Sequence, residues 1–188
     1  MKGRPRDPAV GAAIRQAALD LVKELGYRGT TMEGIAHRSG ASKQAVYRRY
    51  SSKGDVLLDA LDSLARETFP EPDSGSLHDD LLVLVRASFA AHRNYRGAFS
   101  QALVVEAAQE PAFAQRAAEL VLEPRRQAFH VIFNRARERG EATYPNNDEL
   151  IDLILGPMWY ALLFDLDKLT DSYAESITRV VVAAARSI

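Results

Sequence analysis

The side chains best suited to recognition chemistry lie between Thr30 and Lys53, in the run TTMEGIAHRSGASKQAVYRRYSSK. Ser42, Lys43, Gln44, Tyr47, Arg48 and Arg49 crowd one short segment that follows a Gly-containing turn. These are the groups that reach duplex DNA. A major groove admits one helix, and its floor offers acceptors and donors to side chains of this reach. Gln44 can pair bidentately with adenine, and Lys43 or Arg49 can reach guanine. The Tyr47 hydroxyl suits a phosphate, and Thr31 and Lys53 open flanking helices whose side chains and free amides can hold the backbone and fix register. Lys2, Arg4 and Arg6 form a basic arm for a minor groove or for phosphates. The alternatives are plain: Tyr47 packed between apolar neighbours, Arg48 and Arg49 merely solvated, the arm without a role. Tyr50, on the opposite side, reads as core.

Three helices must position these groups. Ile14, Ala17, Ala18, Leu21, Val22 and Leu25 recur at three- and four-residue steps, with Pro8 near the start and Gly26 as a C-terminal stop. A second helix begins at Thr30-Thr31, where Thr30 and Glu33 fit a capping box, and buries Ile35 and Ala36. Ser39-Gly40-Ala41 makes the turn, with Gly40 free to take a positive φ. Ser42 caps the third helix, and Val46 packs back on the first two. A fourth helix, about Ser52 to Thr68, carries Val56, Leu57, Ala60, Leu61 and Leu64 on one face. Two helices with a tight turn, the second rich in DNA-reaching groups, are a helix-turn-helix.

Charge agrees with this division. Residues 1–53 carry a net +7 and the rest a net −8, so the overall −1 hides a basic head on an acidic body. The absence of cysteine excludes disulfides, thiol catalysis and zinc-thiolate sites, and suits a reducing cytoplasm. No apolar run follows the basic N-terminus, so no secretory signal is expected. No run approaches the roughly 18 apolar residues of a membrane span.

The segment PEPDSGS, Pro70–Ser76, ends the fourth helix and is the expected loop between two packed halves. Helices are expected near Leu77–Tyr95, Gly97–Gln109, Pro111–Arg139 (with a break around Glu123-Pro124), Asn147–Leu166 and Ser172–Ser187. The fold class is therefore all-α: a helix-turn-helix head over 1–53 and a helical body over 54–188. The four histidines, His37, His78, His92 and His130, lack metal-site spacing, and no nucleophile elbow or phosphate-binding loop occurs. No catalysis, metal or cofactor is expected.

Phe89, Phe99, Phe113, Phe129, Phe133, Met158, Trp159 and Phe164 recur at helical spacing in the body, with His92 beside them; Phe89, His92, Phe99, Phe129, Phe133, Met158 and Trp159 are the expected ligand contacts. As a set they fit either plain core or an apolar cavity for a small molecule, ringed by Tyr95, Gln101, Glu106 and Tyr160. Pro157 predicts a kink or break in its helix, which would widen a cavity or relieve strain. Ile151, Leu155 and Leu162 belong to an apolar stripe wider than one face, and Ile177, Val181 and Ala184 line the last helix. Such stripes serve a subunit core, a self-complementary contact, or both.

The run from Ala13 to Leu61 resembles the N-terminal domain of TetR/AcrR-type transcriptional regulators. The Ala-rich first helix ending in Gly26-Tyr27, then Thr30-Thr31, Ile35-Ala36, Gly40-Ala41-Ser42, Tyr47, Ser52-Lys53 and Leu57-Leu58 carry the likeness at fixed spacing. It departs at Arg49-Tyr50, where many members have His-Phe, which leaves base preference open. The resemblance implies that Thr31, Lys43, Gln44, Tyr47, Arg49 and Lys53 occupy DNA-contacting positions. It further implies a homodimer through a four-helix bundle of the last two helices, and an effector that weakens binding to a double-stranded operator. ALVVEAAQEP, EPRR and GPMWYALLF are similar to one of the family's common body types. The expected protein is a cytoplasmic repressor rather than an enzyme. The competing classes are an architectural DNA-binding protein with a solid body and an enzyme using a helical body.

Overall fold

A computed structural model describes residues 8–68, 70–94 and 97–187. Its regular elements among these residues are all helical. The head comprises α1 (Pro8–Gly29), α2 (Met32–Ser39) and α3 (Lys43–Tyr47), followed by α4 (Lys53–Thr68). The body holds α5 (Leu77–Asn94), α6 (Ala98–Gln109), α7 (Pro111–Ala117), α8 (Glu123–Glu138), α9 (Asn147–Phe164) and α10 (Asp171–Ala185). The basic arm Lys2, Arg4 and Arg6 and the expected cavity residue Tyr95 lie outside the described residues.

Three apolar clusters organise the chain. In the head, Ile14, Ala17, Ala18 and Leu21 of α1 close on Ile35, Val46 and Val56. Gly26, at φ 70, breaks the geometry of α1 where the stop is expected. In the body, Phe89, Phe129, Phe133, Ile151, Met158 and Val181 share one core. The third cluster joins the halves: Leu19 and Val22 of α1, Leu57 and Leu61 of α4, Phe99 and Leu103 of α6, and Phe113 of α7. Full burial of one such side chain contributes about 1.5–3 kcal/mol. Head and body are thus welded through α4.

The 70–76 loop is fixed to the body. Buried Asp80 accepts bonds from the Ser74 amide and hydroxyl, both at 2.7 Å, and Arg135 reaches Asp73 at 3.6 Å. The expected irregularity at Glu123-Pro124 takes the form of a π turn, Ala118–Leu122, in which the Glu123 amide reaches back to the Ala118 carbonyl. Pro124 offers no N–H and its ring crowds an α-type carbonyl, so a wider preceding turn relieves it. Pro157 does not break α9, which runs through it to Phe164. Leu153, whose carbonyl loses that amide partner, is on the exposed side of the helix.

Candidate functional site

Capping sets the two helices of the turn. The Thr31 hydroxyl, not that of Thr30, accepts the Gly34 amide at 3.0 Å and starts α2. The capping box expected of Thr30 and Glu33 is absent because both residues are used elsewhere. Thr30 is buried and donates to the Gly26 carbonyl at 2.9 Å, joining α1 to α2. Glu33 accepts the Tyr47 hydroxyl at 3.1 Å and lies 4.0 Å from the Lys43 ammonium. Its own backbone amide and the Tyr47 hydroxyl hold its carboxyl below the usual carboxylate range. Gly40, at φ 67, makes the corner, and the Ser42 hydroxyl accepts the Ala45 amide at 3.1 Å to cap α3.

Thr31, Ser42, Lys43, Gln44, Tyr47 and Arg48 are all exposed around this turn. The other two expected contacts are more deeply placed. Arg49 follows α3 and is half-buried, with its guanidinium against Gly11, where an added Cβ would meet it at 3.3 Å. The Lys53 ammonium donates to the carbonyls of Tyr27 (2.7 Å) and Thr30 (3.1 Å) and lies 4.1 Å from the Tyr27 ring centre. It therefore ties the start of α4 to the α1–α2 corner and keeps one N–H for another acceptor. Tyr50 is half-buried and donates to Asp59; burial and that carboxylate push its hydroxyl up to about 12.

A second set of polar groups crosses from head to body. The Tyr27 hydroxyl donates to Glu106 on α6, and Arg116 on α7 pairs with Asp55 on α4 at 2.8 Å. Burial, then Glu106, raises the Tyr27 pKa. Gly54 sits against Phe113 so closely that a Cβ there would come within 2.8 Å of the ring. Lys53, Gly54 and Asp55 thus link the head's corner to α7 within three residues.

The body has its own cavities. A small one of about 30 Å³ is bounded by His92, Ser100, Phe99, Leu61, Leu103 and Arg125. A larger one of about 340 Å³ opens between the end of α4, Pro70-Glu71 and the start of α8, and Arg125 lines it too. His92 is buried and shares a hydrogen bond with the Ser100 hydroxyl at 3.0 Å. Burial and the nearby Arg125 charge push its pKa down to about 3, so the ring is neutral at pH 7. Of the seven residues expected to bind a ligand, His92 and Phe99 line the small cavity. The Trp159 ring lies 6.5 Å from that of His92. Phe89, Phe129, Phe133 and Met158 are packed in the body's core instead. A side chain enclosed by its neighbours on every side fills space rather than bounding it. Among the described residues no three metal-ligating side chains converge.

Arg125, Ser100 and Pro124 were not among the expected cavity residues. A usable signal exists for Arg125: Phe113, Ala117, Val121, Arg125, Phe129 and Phe133 stand at successive four-residue steps. The arginine occupies a core-facing step in an apolar ladder.

The six residues expected at a dimer face are buried in, or partly buried against, the subunit's own core. Ile151, Leu162, Ile177 and Val181 are buried in the subunit's own core, with Leu155 and Ala184 packed on it. The same two helices leave Leu153, Tyr160, Leu163, Phe164 and Val180 exposed.

Known proteins share both halves. Residues 14–60 match the family model for "Bacterial regulatory proteins, tetR family", and residues 71–181 match "Tetracyclin repressor-like, C-terminal domain". The uncharacterized HTH-type transcriptional regulator YdeS of Bacillus subtilis (strain 168) is 32% identical over 94% of this chain and 89% of its own length. The HTH-type transcriptional regulator AqdR of Rhodococcus erythropolis is 27% identical over 78% of this chain and 72% of its own. The crystal structure of the TetR family transcription regulator SCO0332 superposes with a TM-score of 0.78 at 25% identity, covering 93% of this chain and 97% of that one.

Proposed function

Because the chain belongs to the TetR family of ligand-responsive, DNA-binding transcriptional regulators, we propose that it is a repressor, released from a near-palindromic operator by a small apolar or amphipathic effector. The observation that carries this reading is the reach of α4. Its first residue, Lys53, grips the α1–α2 corner that leads into the helix-turn-helix, and its later residues Leu61, Asp62 and Arg66 line the two cavities. A 16-residue helix is about 24 Å long, so a shift at the cavity end moves the reading head. Linkage of this kind is typically worth about 1–3 kcal/mol.

In this reading Thr31, Ser42, Lys43, Gln44, Tyr47 and Arg48 meet DNA directly. Lys53 offers its remaining N–H to a phosphate, and Arg49 contributes charge from beside α1. The head is residues 1–53, and the body begins with α4. The dimer joins through the exposed edges of α9 and α10, with Leu153, Tyr160, Phe164 and Val180 replacing the inward set. A two-fold pair sets the two α3 helices about one DNA turn apart, which demands the palindrome. No helix among the described residues is long and apolar enough to cross a membrane, and the cysteine-free composition suits work in the cytoplasm.

Fluorescence anisotropy of the full chain tests the reading, with DNA from upstream of its own gene against random duplex of equal length. The upstream DNA is expected to bind far more tightly, with two subunits per site. Equal affinity for both would overturn it.

A further inference from the structure

Arg125 and Arg126 are neighbours in sequence and opposites in circumstance. Arg126 faces outward and is bonded to two carboxylates, Asp148 and Asp152, each at 2.6 Å. Arg125 turns inward, and no carboxylate among the described residues pairs with it. Its Nε is sealed from solvent and has no hydrogen-bond partner. Burial alone lowers its pKa below the ordinary guanidinium value, with no neighbouring anion to raise it. A buried cation left unpaired is costly to a fold, so sites that hold one are commonly sites that receive an anion. The contrast extends along this part of the body: Arg116, Arg135 and Arg139 each have a carboxylate within 3.6 Å.

We propose that Arg125 is the anion-recognition residue of the effector site and that the effector is a monocarboxylic acid with an apolar or amphipathic body. This rests on the reading of the protein as an effector-released regulator. The small cavity, about 30 Å³, has room for a carboxylate head and little more. Around it stand the Arg125 fork, the Ser100 hydroxyl and the His92 ring, with Leu61 and Leu103 completing an apolar wall. A guanidinium in such a site binds a carboxylate through two parallel N–H bonds, while Ser100 can turn its hydroxyl from His92 to the same oxygen. His92 is neutral, so among the described residues that line this cavity Arg125 carries the one charge that the head group meets. The larger cavity takes the rest of the molecule, against Pro70, Pro124 and Ala128. Asp62, paired with Arg66 at 3.0 Å, and Glu71 line it as well, so apart from Arg125 its described wall carries one net negative charge, which disfavours a second acid group on the effector. One acid group, carried at the end of an uncharged body, fits both spaces.

Neutralising Arg125 also supplies a link to release. Leu61 and Leu103 belong to the cluster that holds α4 against α6, and Asp62 is one residue further along α4. A head group drawn in beside them presses on the helix that sets the DNA-binding corner.

The test uses the full chain without DNA and reads binding by calorimetry. Octanoate, 4-phenylbutyrate and benzoate are titrated to millimolar concentration against their uncharged amides and against octyl phosphate. At least one acid is expected to bind, with its amide and the phosphate weaker by about tenfold or more, the scale of a lost charge-assisted bond. Arg125→Met should abolish the preference for acid over amide while the variant stays folded, and its melting temperature should rise because an unpaired buried charge is gone. Arg125→Lys should keep part of the preference, since it retains the charge but not the fork. Acids binding no better than amides, no acid binding at all, or an unchanged preference in Arg125→Met would each overturn the proposal. Operator discrimination is read separately, so its failure would strike the repressor reading and leave the calorimetric result standing.

Discussion

The head displays its functional groups, whereas the body hides its own. Around the turn, Ser42, Lys43, Gln44, Tyr47 and Arg48 stand in solvent on helix starts fixed by two hydroxyl caps, and each is available to a large rigid partner. In the body His92 and Ser100 are buried between helices, and the dominant group, half-buried Arg125, is a cation that no carboxylate among the described residues pairs with. A surface that reads a polymer needs many modest contacts in register. An interior that reads a small molecule needs few groups, strengthened by the exclusion of water.

Four experiments press on this difference. The largest effect is expected at the seam: Phe113→Ala should cost about 3–5 kcal/mol in urea unfolding. It should also split one transition into two by freeing the head from the body. A single transition would show that the two regions are one cooperative unit without that ring. Next comes pH. The His92 pKa is depressed in the fold, to about 3 against 6.5 in the unfolded chain, so the unfolded chain binds more protons between those values. Stability should fall by roughly 1.4 kcal/mol per unit as pH drops below 6.5, and His92→Phe should remove that slope. His78 has the opposite sign. Asp79 and Glu175 raise its pKa, so its contribution is present below 6.5 and is lost as pH rises through the raised value.

At the exposed face, Lys43→Ala or Gln44→Ala should each weaken operator binding by about 1–3 kcal/mol while leaving the melting temperature unchanged. Loss of stability in either variant would mean that the face is structural. The smallest effect is expected from Glu33→Gln. It removes a negative charge from a phosphate-facing surface and the ion pair to Lys43, while its amide oxygen can still accept the Tyr47 hydroxyl, so binding to random DNA should tighten modestly. Weaker binding would instead show that Glu33 holds those side chains in their reading positions.

The head was legible in the sequence because its information is local. A hydroxyl before a helix, a glycine at a corner and recurring apolar steps are properties of short runs; the choice between Thr30 and Thr31 as cap went astray, and Leu25, read as part of the apolar face of α1, is exposed. That choice depended on Gly26 offering a carbonyl from another helix. The body was legible as helices but not as a site. Aromatics at regular spacing such as Phe129 and Phe133 mark where helices press together, so they became core. The cavities formed where pressing fails, at the ends of elements: the last turns of α4, Pro70 and the start of α8. The apolar stripe of α9, read as wider than one face, has Ile151, Ile154 and Leu162 buried and Leu153 and Leu163 exposed. Which edge stayed exposed depended on how α5 and α8 cover it, a relation between distant residues.

The π turn at Ala118–Leu122 has one more effect. In a regular α-helix each four-residue step overshoots a full circle by about 40°, so a ladder of such steps spirals away from its starting line. The wider turn in the middle of the run from Phe113 to Phe133 takes back part of that overshoot, which keeps Arg125 pointing at the same interior as the rings above and below it. The insertion acts as a phase corrector. Deleting one residue from it, such as exposed Leu120, would rewind everything downstream by about 100° relative to α7. The chemistry of the cavity would then change without any residue that lines it being replaced.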